Sequence, residues 1–375
     1  MPPLHNLIAE LTERWSPQVS AEAQRRIEAM GFSLEIRKGA DDRTLAWIDQ
    51  EFGGSWSSEA FVGTNIIVHR GPEPVGFATI DAKGMRFHWL RGIALEPGVG
   101  IFGPFGIAAD LRSQGLGDAL LVVALCELKN KGYTRVLLPA VGDNNLVLYY
   151  LKHADAHVVE TFELFTRRPK SVRTLVLASG SGTNFQAVID RSRGNVPLDL
   201  VGLVTNHPEA YARERATRAG IRSMIVPWHR KEQSRADYDA ALLGAVERFA
   251  PELILLLGWM HLLAPDFVEK FSDILNIHPA FLPLDPSHDD VAMPDGVRIP
   301  AFRGAYAVRD ALDARSPWVG ASLHRITNDT DRGPILTRKP LAVEAGEDDE
   351  TLMERLHPLE HDVVERGIRR WLLER

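Results

Sequence analysis

Across the second half of the chain, short uninterrupted apolar runs alternate with longer segments whose apolar residues recur at helical spacing. Residues 174–178, 198–206, 223–226 and 252–257 read as strands, and 185–193, 209–219 and 237–249 as helices, the second stopped by Gly220. Strands apolar on both faces, separated by amphipathic helices, predict a parallel sheet covered on both sides, with ligands held where the strands end. The first half has a different rhythm. A helix over 12–31 ends at Gly31, a strand follows at 32–37, and strands 65–70 and 74–80 flank a Gly71-Pro72-Glu73 turn as a hairpin. A strand at 105–109, a helix at 118–131 closed by Gly132 and a strand at 134–138 complete the pattern. The polar, basic, proline-broken stretch 166–173 reads as a linker, so domains are expected at 1–165 and 174–375.

Three places in this pattern concentrate polar chemistry. The segment 273–283 carries Asn276 and His278 two residues apart at the end of an apolar run that Pro279 stops. On a strand that spacing points both side chains to one face, and a carboxamide beside an imidazole at a strand end can stabilise a developing oxyanion and manage one proton. Between strand 174–178 and helix 185–193, Ser179, Gly180, Ser181, Gly182, Thr183 and Asn184 place two glycines, three hydroxyls and a carboxamide at a helix start, an anion-binding arrangement. In the first half Arg112-Ser113-Gln114-Gly115-Leu116-Gly117 makes a second such cradle, its glycines admitting close backbone approach to a phosphate. Glu59, His88 and Trp89 are base or pocket candidates on the acceptor side of that cradle, with surface or core packing as the alternative for each.

Composition narrows the class of protein. A chain of 375 residues, 45% hydrophobic and 25% charged, is sized for about two ordinary globular domains. A net charge of -7 argues against general nucleic-acid binding, and no apolar run is long enough to predict a membrane span. Its one cysteine, Cys126, excludes an intramolecular disulfide and falls in an apolar helical pattern. His288, Asp289 and Asp290 offer one histidine among acidic loop residues, which reads as a solvated loop, and no metal is expected. The overall expectation is a cytoplasmic enzyme acting on a small molecule, with a homodimer among the assemblies allowed.

Residues 30–165 resemble the GNAT superfamily of N-acyltransferases, whose R/Q-x-x-G-x-G/A loop is matched by Arg112 to Gly117 in a strand-to-helix setting. The resemblance implies acetyl-CoA or another acyl-CoA as donor, its pyrophosphate held by Arg112, Gln114, Gly115, Leu116 and Gly117. It also implies a thiolate-protonating tyrosine, matched by Tyr150 with Tyr149 as its neighbour; Ala154-Asp155 stands where the family has Gly-Phe.

From about residue 173 to the C-terminus the chain resembles the glycinamide ribonucleotide formyltransferase family. The resemblance rests on Ala178-to-Ala187 (ASGSGTNFQA), Gly258-Trp259-Met260-His261, Asn276-to-Pro283 (NIHPAFLP), Asp331-to-Ile335 (DRGPI) and Glu360-His361. It implies a Rossmann-like fold, 10-formyltetrahydrofolate as formyl donor, and transfer to a primary amine. Asn276 and His278 are implied to contact the formyl oxygen, and Asp331 to order water and assist the proton relay; without the family, Asp329 would serve as well. Met260, His261 and Leu262 are implied to lie against the folate. The serine-glycine loop favours a phosphate- or phosphonate-bearing acceptor, since related formyltransferases acting on methionyl-tRNA or sugar nucleotides lack it. The chain departs from the family at Ala280-Phe281 (family Ser-Leu), at His261 (family Arg) and in a longer connection at 284–301.

The expected fold class is therefore α/β: an N-terminal GNAT-like mixed sheet with helices, followed by a C-terminal Rossmann-like formyltransferase doubly wound sheet. The expected function is bifunctional N-acyl and N-formyl transfer, the alternative being one catalytic domain joined to a CoA-, folate- or phosphometabolite-binding module.

Overall fold

A computed structural model describes residues 3–53, 55–82, 92–142, 144–163, 171–193, 196–229 and 231–375. His88, Trp89 and most of the expected linker lie outside the described residues. The chain divides into two compact units: Met1–Leu164 with Pro294–Gly296 and Trp371–Arg375, and Phe165–Met293 with Val297–Arg370.

The first unit contains β1 (Leu4–Glu10), α1 (Pro17–Ala29), β2 (Ser33–Lys38), α2 (Asp42–Phe52), α3 (Trp56–Val62), β3 (Thr64–Arg70) and β4 (Glu73–Ile80). β5 (Val99–Ile107), α4 (Leu116–Asn130), β6 (Arg135–Val141), α5 (Asn144–His153) and β7 (His157–Phe162) follow. The seven strands form one sheet in the order β2-β3-β4-β5-β6-β1-β7. Among the described residues only β5 and β6 pair in parallel here, through Val99–Ile101 and Arg135–Leu137; beyond that β5 continues against β4 from Phe102 to Ile107. The expected hairpin is β3–β4.

Three expectations for this unit are corrected. The first helix begins at Pro17 rather than residue 12, because the Ser16 hydroxyl caps it by accepting from the Val19 amide and Pro17 fixes the first turn. The opening residues form β1, inserted between β6 and β7. Helices α2 and α3 fill a stretch for which no element was expected; Asp41 caps α2 through the Thr44 amide and Gly53, at φ +78°, ends it. The core is built on α4, whose Leu120, Leu121, Ala124 and Leu125 are wholly buried.

The second unit runs β8 (Val172–Leu177), α6 (Thr183–Ser192), β9 (Leu198–Thr205), α7 (Ala212–Ala219), β10 (Ser223–Ile225), α8 (Arg235–Glu247) and β11 (Leu253–Leu256). It continues with α9 (Pro265–Lys270), β12 (Ile274–His278), β13 (Asp290–Ala292), β14 (Arg298–Pro300), α10 (Ala307–Asp313), β15 (Trp318–Arg325), β16 (Ile335–Ala342) and α11 (Asp349–Glu374). Its main sheet has the order β10-β9-β8-β11-β12-β15-β16, with β13 and β14 forming a separate hairpin. The first five strands are mutually parallel, as their apolar runs predicted. β15 and β16, for which no strands were expected, run antiparallel to their neighbours: the turn after Arg325 returns the chain directly, whereas a parallel partner needs a crossover. No helix among the described residues is long and apolar enough to cross a membrane.

Candidate active site

The carboxyl ends of β8, β11 and β12 are neighbours in the sheet, so the loops leaving them share one edge. After β8, Ser179 donates its amide to the Gly258 carbonyl at 3.0 Å, and its hydroxyl accepts the Met260 amide at 3.2 Å. These bonds fasten the serine-glycine loop to the segment after β11. Gly180 and Ser181 are exposed, while Gly182 is buried at φ +70°. A Cβ on Gly182 would meet the Ala212 Cβ at 2.8 Å, so the residue is fixed by both conformation and space. The loop faces outward while its own carbonyls are used inward, Gly180 accepting from the Ala212 amide and Ser181 from Arg215 Nε at 2.9 Å. Asn184 is buried and donates through Nδ2 to Glu360 Oε2 at 2.9 Å; burial pushes the Glu360 carboxyl up to about 7.

β12 delivers Asn276, half buried, and His278, 4% exposed, to the next position along the edge. His278 Nε2 lies 2.7 Å from the Phe302 carbonyl, an acceptor, so this nitrogen carries the proton. Its Nδ1 lies 3.6 Å from Asp331 Oδ2. Burial pushes His278 below its usual value of 6.5, only partly opposed by the Asp331 charge and the Phe302 carbonyl. In neutral His278 the Nδ1 lone pair therefore points toward Asp331.

Asp331 sits in the turn between β15 and β16 in a left-handed conformation, φ +52°. Its Oδ2 accepts the Gly304 amide at 2.7 Å and its Oδ1 lies 3.4 Å from His324 Nε2. Burial alone would raise its pKa, but the flanking His324 and His278 rings and the Gly304 amide together hold the carboxyl well below the usual range. Asp331 is thus an anion between two imidazoles. Sequence reasoning selected it over Asp329 only through family resemblance; in the structure Asp331, through its Oδ atoms, meets both rings.

His324 was not among the sequence candidates. It lies on β15 directly across from Asn276 in the antiparallel register, 1% exposed. Its Nδ1 is 2.9 Å from the Arg325 carbonyl and its Nε2 is 3.2 Å from Asn276 Nδ2. Its Nε2 thus faces both the Asn276 carboxamide and Asp331 Oδ1, and the contact with Nδ2 fixes which way the carboxamide points. The sequence signal for it was a histidine on an apolar strand, which also describes a packed core residue.

The remaining candidates are distributed as follows. Met260 and Leu262 stand 55% and 65% exposed after β11, whereas the His261 ring is engaged by Tyr238 Oη at 2.9 Å and Asn206 Nδ2 at 3.1 Å. Trp259 and Trp228 meet that ring edge-on. The departure at 280–281 is absorbed by packing: Phe281 is 1% exposed with the Arg338 guanidinium 4.2 Å above its ring, and the Ser322 hydroxyl bonds the Ala280 carbonyl and the Leu282 amide. The longer connection forms the β13–β14 hairpin. Among the described residues no group of three or more His, Cys, Asp or Glu could hold a metal.

In the first unit, Gly115 at φ +87° opens α4, as the cradle requires. Arg112 and Gln114 turn back on the loop itself, Nε donating to the Ile107 carbonyl and Nε2 to the Asp110 carbonyl. Leu116 is fully buried. Tyr150 is 6% exposed in the core, edge-on to Phe102, while a Cβ on Gly117 would come 3.8 Å from the Tyr149 hydroxyl. Glu59 lies on α3.

Residues 172–289 and 297–368 match the formyl transferase family, described as "Formyl transferase". Phosphoribosylglycinamide formyltransferase of Escherichia coli (strain K12) is 31% identical over 191 residues, covering 50% of this chain and 82% of the relative. That of Mycobacterium tuberculosis (strain H37Rv) is 33% identical over 193 residues, covering 51% and 81%. The Bos taurus trifunctional purine biosynthetic protein adenosine-3 is 31% identical over 222 residues, covering 55% of this chain and 20% of that protein, so the chain spans about a fifth of this longer relative. Among solved structures, glycinamide ribonucleotide transformylase 1 from Symbiobacterium toebii aligns with 53% of the chain at 33% identity and a TM-score of 0.47. The matched segments contain Asn276, His278, His324 and Asp331, and with half of its length matched the chain belongs to the formyl transferase family.

Proposed function

We propose that the second unit transfers a formyl group to the primary amine of a small acceptor of the phosphoribosylglycinamide type, bearing a phosphate or phosphonate. The observation that carries this reading is the meeting of Asn276, His278, His324 and Asp331 at the end of β12, on the sheet edge that also holds the serine-glycine loop. The exposed Met260 and Leu262 after β11 suit contact with a flat heteroaromatic donor such as 10-formyltetrahydrofolate, which supplies an electrophilic formyl carbon. The acceptor's anionic group is held by the outward amides and hydroxyls of Gly180, Ser181 and Thr183 at the start of α6.

The chain's own groups then divide the work. Asn276, with one Nδ2 proton committed to His324, directs the other at the formyl oxygen as it gains charge; one such donor is worth roughly 3 kcal/mol. His278 Nδ1 takes the proton that the amine sheds as its new C–N bond forms, and Asp331 stabilises the resulting imidazolium. The proton then passes to the departing donor nitrogen as the old C–N bond breaks.

The test is a mass-spectrometric screen of phosphorylated and phosphonylated primary amines with 10-formyltetrahydrofolate for gain of one formyl group. Asn276→Ala and His278→Ala are expected to lower turnover by about 100-fold or more while leaving acceptor binding in place. Normal turnover in either variant removes the mechanism.

For the first unit the reading is GNAT-type acyl transfer from acetyl-CoA or another acyl-CoA. Its support is the strand, αL glycine and helix sequence of β5, Gly115 and α4. Tyr150 remains the family-matched proton donor, with Tyr149 as the tyrosine nearer Gly117. Calorimetric titration of the full chain with acetyl-CoA and with 10-formyltetrahydrofolate distinguishes two catalytic units from one. Gly115→Val is expected to abolish the first titration and spare the second; comparison of Tyr149→Phe with Tyr150→Phe in acetyl transfer assigns the tyrosine. No heat with acetyl-CoA overturns the acyltransferase reading.

A further inference from the structure

The connection at 284–301 adds more than length to the second unit. The family match lapses over 290–296, inside the β13–β14 hairpin. Val291, Met293 and Ile299 of this hairpin are buried, so the insertion is an ordered, packed element. At its base stands Asp289, whose carbonyl accepts the Ala301 amide at 2.8 Å and whose carboxylate receives two guanidinium groups.

Those two arginines belong to the two loops that complete the proposed site. Arg303 donates Nη1 to Asp289 Oδ1 at 2.9 Å, Nη2 to the His288 carbonyl at 2.7 Å and Nε to the Asp331 carbonyl at 3.3 Å. Arg332 donates Nη1 to the Pro286 carbonyl at 2.6 Å and Nη2 to the Asp289 carboxylate. Arg303 lies between Phe302, whose carbonyl holds His278 Nε2–H, and Gly304, whose amide holds Asp331. Arg332 directly follows Asp331. The two loops have no strand pairing with each other; the Arg303 and Gly304 bonds to Asp331 and this shared carboxylate set their spacing.

We propose that Asp289, at the base of the longer connection, is a positioning residue for proton transfer: by clamping Arg303 and Arg332 it holds the Phe302 carbonyl on one side of His278 and Asp331 on the other. This rests on the formyltransferase reading for its kinetic consequence, but not for its structural one. With the clamp in place His278 is kept in the Nε2–H tautomer with Nδ1 as the base. With the clamp lost, the Phe302–Gly304 segment moves and the tautomer is no longer enforced. Catalytic groups displaced by about 1 Å lose roughly 100-fold in rate. Because the Asp289 side chain is 78% exposed, its removal opens no cavity and the fold is expected to persist.

Two readouts on the full chain decide this. In long-range proton–nitrogen correlation spectra at pH 7.5, with His278→Gln assigning the signal, wild type is expected to show the Nε2–H tautomer and Asp289→Ala a mixture of tautomers. In steady-state kinetics Asp289→Ala is expected to lower kcat by about 10- to 100-fold with KM changed less than about twofold, and Asp289→Glu to restore most of it. Arg332→Gln, which cuts one arm, gives the same signature if Asp289→Ala fails to fold. An unchanged His278 spectrum in the folded variant overturns the clamp even where no amine is formylated. An altered spectrum without formyl transfer in wild type retains the clamp and overturns the assigned reaction.

Discussion

Asn276 Nδ2 and His324 Nε2 face each other at 3.2 Å across the antiparallel β12–β15 pair, with Asp331 Oδ1 3.4 Å from the same imidazole nitrogen. The carboxamide therefore does not choose its own orientation: the histidine opposite, fixed by the Arg325 carbonyl, chooses it. His324→Ala leaves Asn276 free to turn and Asp331 short of one partner. Unsatisfied buried groups of this kind cost about 1–3 kcal/mol, so kcat is expected to fall by about 10- to 100-fold. Steady-state kinetics at saturating substrates check this, and full turnover in His324→Ala contradicts the assigned role.

In the proposed transfer His278 acts through a neutral Nδ1, and burial holds its pKa below 6.5. Formyl transfer is therefore expected to be independent of pH near neutrality and to fall along a single acid limb below pH 6.5. Stability follows the same sign. The unfolded chain binds a proton at His278 more readily than the folded chain, so the stabilisation is complete above 6.5 and is lost as pH falls through the folded value. Asp331, also held low, adds a loss that begins below its usual 3.8. Paired rate and denaturation profiles of wild type and His278→Gln isolate the first contribution; coincident acid limbs would remove it.

Glu360 titrates with the opposite sign. Its carboxyl is raised from 4.5 to about 7 by burial, so the stability of the protonated form is complete below 4.5 and is lost as pH rises through about 7. The linked difference is about 3 kcal/mol. Glu360→Gln keeps an acceptor for Asn184 Nδ2 and has no charge to bury. Its stability relative to wild type is expected to grow between pH 4.5 and 7, measured by urea unfolding. A constant difference across that range would place the Glu360 carboxyl at an ordinary pKa.

Gly333 has no room for a side chain. A Cβ there would lie 1.7 Å from the Arg325 carbonyl oxygen, the atom that fixes His324, and 3.5 Å from His324 Nδ1. Gly333→Ala must displace the turn that holds Asp331, and kcat is expected to drop by about 100-fold. Kinetics together with the His324 ring signals check it; wild-type values for both would show that the turn yields without consequence.

The departure at Ala280-Phe281 illustrates what residue type alone leaves open. In sequence it stands beside the proposed catalytic strand and looks as though it should alter the site. In the structure Phe281 points into the core under Arg338, and Ser322 supplies the hydroxyl that ties the Ala280 carbonyl and the Leu282 amide. The longer connection that follows reaches further, because its Asp289 meets the arginines beside Phe302 and Asp331.

Local sequence determined the parallel strands of the second unit, both glycine turns, and the pairing of Asn276 with His278 on one strand face. Apolar runs, helix stops and alternation are short-range properties, and the chain obeys them there. The caps of α2, Asp41 and Gly53, were equally local and went unread. Tertiary structure alone decided the slot taken by β1, the antiparallel edge, and the joining of Asn276, His324 and Asp331 from three segments. Each depends on strand register between distant residues, and register is set by which faces must be buried together, a condition no single stretch of chain contains.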